Sequence, residues 1–188
     1  MTESDNTLLL RMSRGDSSAF EQLFLLYYNQ VYRVVYGLVG TREAAEDLTQ
    51  ETFLELYRHA PALSTGVGLV SWLCRVALNK GYNTLRGERR AQLRMEQFAG
   101  SDEQDPYAEL LRVEDRERVR EVLKRLPERQ SKLLLLRYAG LSLAEIASAI
   151  GVAPGSVGTL LARAERAFTA AYESMHPAEH DSTEKRKL

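Results

Sequence analysis

Apolar residues recur at spacings of three and four along nearly the whole chain, with few alternating β-branched runs. This period matches the helical turn and predicts an all-α fold with no secure strand. The 188 residues, 44% of them hydrophobic, suffice for two small packed cores. The pattern lapses in "APALSTGVGL", Ala60 to Leu69, which is predicted to be a loop. It lapses again in "FAGSDEQDPYAE", Phe98 to Glu109, an acidic stretch holding Gly100 and Pro106. The second lapse reads as an interdomain linker. The expected organisation is a domain over residues 1–96, a linker over 97–112, a second domain over 113–175 and a polar, disordered tail over 176–188.

In the first half, Asp16 or Ser17 caps a helix whose broad apolar face is Phe20, Leu23, Phe24, Tyr27, Tyr28, Val31 and Val35, ending at Gly40. A second helix, capped by Thr41, carries the stripe Leu48, Thr52 and Leu56 with Phe53 beside it. Its opposite face is acidic: Asp47, Gln50 and Glu51 fall at i, i+3 and i+4, and Glu55 continues them. A third helix runs from near Ser71 to about Arg94. Trp72, Leu73, Val76 and Ala77 are its core side, while Arg75, Asn79, Asn83, Arg86 and Arg90 recur on the opposite polar side.

The most specific local pattern lies in the second half. Ser142 and Glu145 form a capping box that starts a short helix. Ala147, Gly151 and Val157 then supply a small residue at a helix crossing, a residue free to adopt left-handed angles and an apolar plug. Together these predict a helix-turn-helix, with Pro154 in the first turn of its second helix. The polar residues that second helix offers to DNA are Ser156, Thr159, Arg163 and Arg166.

The formal net charge of -1 confines any nucleic-acid contact to local patches. Cys74, the single cysteine, lies within "WLCRVAL" and reads as a buried small hydrophobe. No secretory leader or long apolar span is evident, so a cytoplasmic protein without membrane insertion is expected. Catalytic motifs are lacking, and no cofactor or metal is expected. "HPAEH", His176 to His180, has the letters of a zinc-protease motif. It contains Pro177 and lies in a polar tail, so the match reads as accidental and the chain as no enzyme.

With both halves in view, the chain resembles the extracytoplasmic-function (ECF) sigma factors of bacterial RNA polymerase over roughly Asp16 to Phe168. The resemblance rests on "GDSSAFEQLFLLYYNQVYRVVYGLVGTREAAEDLTQETFLELYRH" and "SWLCRVALNKGYNTLRGERR", then on "LKRLPERQSKLLLLRYAGLSLAEIASAIGVAPGSVGTLLARAERAF". It implies a region 2-like domain followed by a region 4-like domain. Asp47, Gln50, Glu51 and Glu55 would dock on the clamp coiled coil of the largest polymerase subunit, with a further contact to the flap. The third helix and its preceding loop would open the -10 promoter element through Arg75, Asn79, Asn83, Arg86 and Arg90. Ser156, Thr159, Arg163 and Arg166 would address the -35 element. An anti-sigma factor is the expected inhibitory partner.

Two departures stand out against that family. Asn83 replaces an aspartate common in its motif, and the loop before the third helix lacks aromatic and charged residues. In place of the usual "GTVKSRLxRA", this chain has "GSVGTLLARA", with Gly158, Leu160 and Ala162 at positions usually held by lysine, arginine and a polar residue. Sparse base readout and weak DNA binding by the isolated chain are therefore expected. Two other readings remain open at this point: a dimeric regulator binding palindromic operators, and a sigma-like interaction module with reduced promoter reading.

Overall fold

The computed structural model describes residues 4–59, 68–95 and 110–177, and among them eight α-helices and no strand. Residues 60–67 of the predicted loop, most of the linker and the tail beyond 177 lie outside the described residues.

The first helix, α1 (Asp5–Ser13), was not anticipated. Ser4 caps it by accepting from the Thr7 N–H, and Leu8, Leu9 and Met12 are buried on one side. That side packs on α2 (Ser17–Val39), which Asp16 caps and Gly40 ends at φ 90°. The left-handed angle explains why glycine stands there. The Tyr27 hydroxyl donates to the Asp5 carboxylate at 2.7 Å, fixing α1 against α2. Burial and the Asp5 carboxylate raise the Tyr27 pKa.

Asp16 also accepts from Arg11 Nε at 2.8 Å and from the Ser18 N–H at 3.0 Å. The Arg11 and Ser18 side-chain hydrogen bonds hold the Asp16 carboxyl down at about 2. Its folded value lies below the ordinary carboxylate value of about 3.9, so its stabilisation is present above that pH and lost as pH falls toward 2. Urea midpoints of wild type and Asp16→Asn are therefore expected to differ at about pH 5 and to converge on acidification through that window. A gap that stays constant would refute the linkage.

α3 (Arg42–His59) lays Leu48, Thr52, Phe53 and Leu56 into the core formed with α2 and α4 (Leu69–Met95). Thr49 and Thr52 are fully buried, and their hydroxyls donate to the Ala45 and Leu48 carbonyls at 2.7 Å. Those bonds to the preceding turn let polar residues occupy an apolar stripe. Along α2, Phe20, Phe24, Tyr28, Tyr32 and Tyr36 form a continuous ring ladder at i, i+4, and Phe53 packs on Phe24 at 4.8 Å. Cys74 is fully buried in α4, and burial pushes its thiol up to about 12. Trp72 is partly buried against the same core. Leu69, assigned above to the loop, instead opens α4.

The second half comprises α5 (Leu110–Arg125), α6 (Glu128–Tyr138), α7 (Leu143–Ile150) and α8 (Pro154–Met175). Residues 110–112, placed above in the linker, belong to α5. Helices α5, α6 and α7 gather around α8, and Leu133, Leu136, Leu141, Ile146, Val157 and Ala164 are buried there. The two halves are in contact: α4 packs on α7, and α2 packs on α5 and α6, so one hydrophobic cluster runs through both.

Candidate polymerase and promoter interfaces

The acidic side of α3 is presented by the burial of its opposite side. Asp47, Gln50 and Glu51 are exposed, whereas Glu55 is half-buried. Lys80 of α4 reaches both glutamates, at 3.0 Å from Glu51 and 3.8 Å from Glu55. Glu55 also meets Arg58 at 3.3 Å and His59 at 3.2 Å. The four residues predicted for polymerase docking thus share one side of α3 but split in character. Asp47 and Gln50 face solvent, Glu51 is braced by a lysine, and Glu55 is engaged within the chain. Sequence spacing did not identify Lys80, because its partner lies 29 residues earlier and on a different helix.

Arg75, Asn79, Asn83, Arg86 and Arg90 all lie on one exposed strip of α4. Arg86 donates to Asn83 Oδ1 at 3.0 Å, and the Arg90 Nε donates to the Arg86 carbonyl at 3.2 Å. The middle of the strip is met by α6 of the second half. Lys132 Nζ donates to Asn79 Oδ1 at 3.0 Å, and Glu128 pairs with Arg86 at 3.4 Å. Lys132 also lies over the Tyr82 ring at 5.1 Å. Neither Glu128 nor Lys132 carries a sequence signal for this contact, since their partners lie 42 and 53 residues away.

The predicted capping box is present: the Ser142 hydroxyl accepts from the Glu145 N–H at 3.3 Å, and Glu145 accepts from the Ser142 N–H at 2.7 Å. Gly151 adopts φ 71°, a left-handed conformation disfavoured for residues with a Cβ, and turns the chain through 106° between α7 and α8. Val157 is fully buried as the plug, and Ala147 is buried at the crossing. No single helix among the described residues is long and apolar enough to cross a membrane, and the bent apolar pair α7 and α8 is this helix-turn-helix.

On α8, Ser156, Thr159, Arg163 and Arg166 follow one another on a single exposed side. Arg166 Nε is turned onto the Ala162 carbonyl at 3.2 Å. Gly158 and Ala162 are exposed on the same side, but Leu160 is half-buried against the core. Leu160 is thus a packing residue, and only Gly158 and Ala162 leave that side bare. A Cβ at Gly155 or Gly158 would meet nothing within 4 Å, so internal packing does not require glycine at either position. Pro154 begins the helix, and no side chain caps it.

Known protein families match both halves in order. The Sigma-70 region 2 family matches residues 23–91, and the Sigma-70 region 4 family matches residues 116–168. The RNA polymerase sigma-H factor of Pseudomonas aeruginosa is 30% identical over 92% of this chain and 96% of its own length. The ECF RNA polymerase sigma factor SigM of Mycobacterium tuberculosis is 31% identical over 86% of this chain and 81% of its own. Among solved structures, CnrH in complex with the cytosolic domain of CnrY shares the fold with a TM-score of 0.67. That match is 21% identical and covers 92% of this chain and 99% of CnrH. Bartonella quintana RpoE, solved with the anti-sigma factor NepR, has a TM-score of 0.58 at 22% identity over 82% of this chain and 96% of its own. Two sigma regions in sequence order on an all-helical chain, with relatives aligned along nearly its full length, place this protein in the ECF sigma factor family.

Proposed function

We propose that this ECF sigma factor divides its work among three faces. Asp47, Gln50 and Glu51 of α3 hold the polymerase clamp, with Glu55 and Lys80 bracing them from behind. The α4 strip of Arg75, Asn79, Asn83, Arg86 and Arg90 carries the -10 element. The α8 side of Ser156, Thr159, Arg163 and Arg166 meets the -35 element. The observation that carries this reading is the exposure of Asp47, Gln50 and Glu51 beside a Glu51–Lys80 pair. A charged patch braced in this way is pre-organised for a cationic partner.

Recognition by α8 leans on backbone and phosphate contacts. The bare Gly155 and Gly158 surface admits close approach of a DNA backbone to the helix start, where free N–H groups favour anions. Each absent bidentate side-chain contact forgoes about 1–3 kcal/mol of base discrimination. Tethering through polymerase offsets that loss by raising the effective concentration of each domain at its own element.

The chain acts by binding, with no catalytic step of its own. A first domain over 1–96 and a second that begins with α5 at Leu110 and runs to 175 are its working units. An anti-sigma protein is proposed as its inhibitor; its structural relative RpoE is found in complex with the anti-sigma factor NepR. The operator-binding reading is not favoured, since region 2 and region 4 lie in order on one chain.

In vitro transcription with core polymerase and a fragmented genomic library tests the reading. New start sites sharing two spaced upstream elements are expected only when this protein is added. Tight core binding without starts would indicate an interaction module instead.

A further inference from the structure

We infer that a basic cleft between α4 and α5 binds a nucleoside polyphosphate. The cleft encloses about 620 Å³ and is lined by Arg86 and Arg89 of α4 and by Arg120, Lys124 and Arg125 of α5. Clefts of roughly 300–1,000 Å³ suit one small ligand. The site stands on these residues whatever the α4 strip binds.

The cations are poorly compensated. Glu88, Glu121 and Glu128 share the lining, but Glu128 is already engaged by Lys132 at 2.7 Å and by Arg86 at 3.4 Å. Among the described residues, Arg89, Lys124 and Arg125 have no ion-pair partner, and Glu88 and Glu121 pair with no cation. Arg120 is held in place: its guanidinium lies 6.0 Å from the Tyr36 ring centroid, and a side chain at Gly40 would collide with it. Like charges gathered on one cleft repel each other, and a polyanion relieves that repulsion. Guanidinium groups are suited to phosphate because their N–H groups form paired, charge-assisted hydrogen bonds with its oxygens.

The floor decides the class of anion. Tyr82 and Leu85 of α4 are half-buried there, beside Leu38, Leu123 and Leu126. Inorganic phosphate would leave this apolar floor unused. A nucleobase can lie on it while its phosphates reach the arginines. A nucleic-acid strand fits less well, because it carries one phosphate per nucleotide and a cleft of this size takes about one nucleotide. Several phosphates on a single base match the clustering of the cations.

Isothermal titration of the full-length chain with ATP and with GTP, magnesium omitted, tests the site. At least one of them is expected to bind with a dissociation constant below ~100 μM. Arg89→Ala with Lys124→Ala removes two exposed cations outside the assigned polymerase and promoter faces, and should weaken that binding at least ~tenfold. Arg116→Ala with Arg137→Ala removes the same charge from exposed positions outside the cleft, and should leave binding unchanged. Equal weakening by both pairs would reduce the effect to general charge and overturn the inference. Tripolyphosphate binding as tightly as the nucleotides would also overturn it, since the base would then contribute nothing. A single-stranded oligonucleotide that binds more tightly than either nucleotide, and loses that binding in Arg89→Ala with Lys124→Ala, would make the cleft part of a strand path instead. Absence of binding by both nucleotides would overturn it outright.

Discussion

Reversing the charge at both Asp47 and Glu51, as Asp47→Lys with Glu51→Lys, is expected to abolish promoter-specific transcription by lowering affinity for core polymerase at least ~100-fold, about 3 kcal/mol. Loss of charge pairs at the centre of an interface typically costs 2–5 kcal/mol, and reversal adds repulsion. The fold should tolerate both changes. Asp47 is exposed, and Glu51 is engaged in a half-exposed pair with Lys80. Breaking such a pair costs about 1 kcal/mol or less. Competition for fluorescently labelled core polymerase, run beside urea unfolding, separates the two effects. Unimpaired core binding by a folded double variant would refute the docking assignment, while Gln50→Ala should give a smaller loss on the same face.

The features legible in the sequence are those written in local spacing. The capping box at Ser142 and Glu145, the left-handed Gly151 and the plug at Val157 occupy sixteen consecutive residues, and each is fixed by backbone chemistry that a sequence displays directly. The stripe Leu48, Thr52, Phe53 and Leu56 was legible for the same reason. α1 escaped notice because its apolar residues Leu8, Leu9 and Met12 span little more than one turn. Its attachment depends on Tyr27 meeting Asp5 across 22 residues.

Contacts between distant helices were beyond reach for a more general reason. Lys80 bracing Glu51 and Glu55, and Lys132 satisfying Asn79, depend on how helices cross, and crossing geometry leaves no periodic mark in one chain. Leu160 shows the reverse error. The motif register placed it where a groove-reading arginine stands in relatives, but in this chain it turns against the core. The bare part of the reading helix is therefore narrower than the motif implied.

Val157→Asp should produce the second large effect. Val157 of α8 is fully buried, and a carboxylate placed there is withdrawn from water into an apolar core. Burial of an unpaired charge costs about 4 kcal/mol or more, a large share of the 5–15 kcal/mol that holds a typical domain. The helix-turn-helix is expected to lose protection in hydrogen exchange, and transcription that depends on the upstream element should disappear. The α3 face is held by Leu48, Phe53 and Leu56 where α3 packs with α2 and α4, so core binding should survive. Loss of core binding together with upstream recognition would instead show that the substitution unfolds the whole chain.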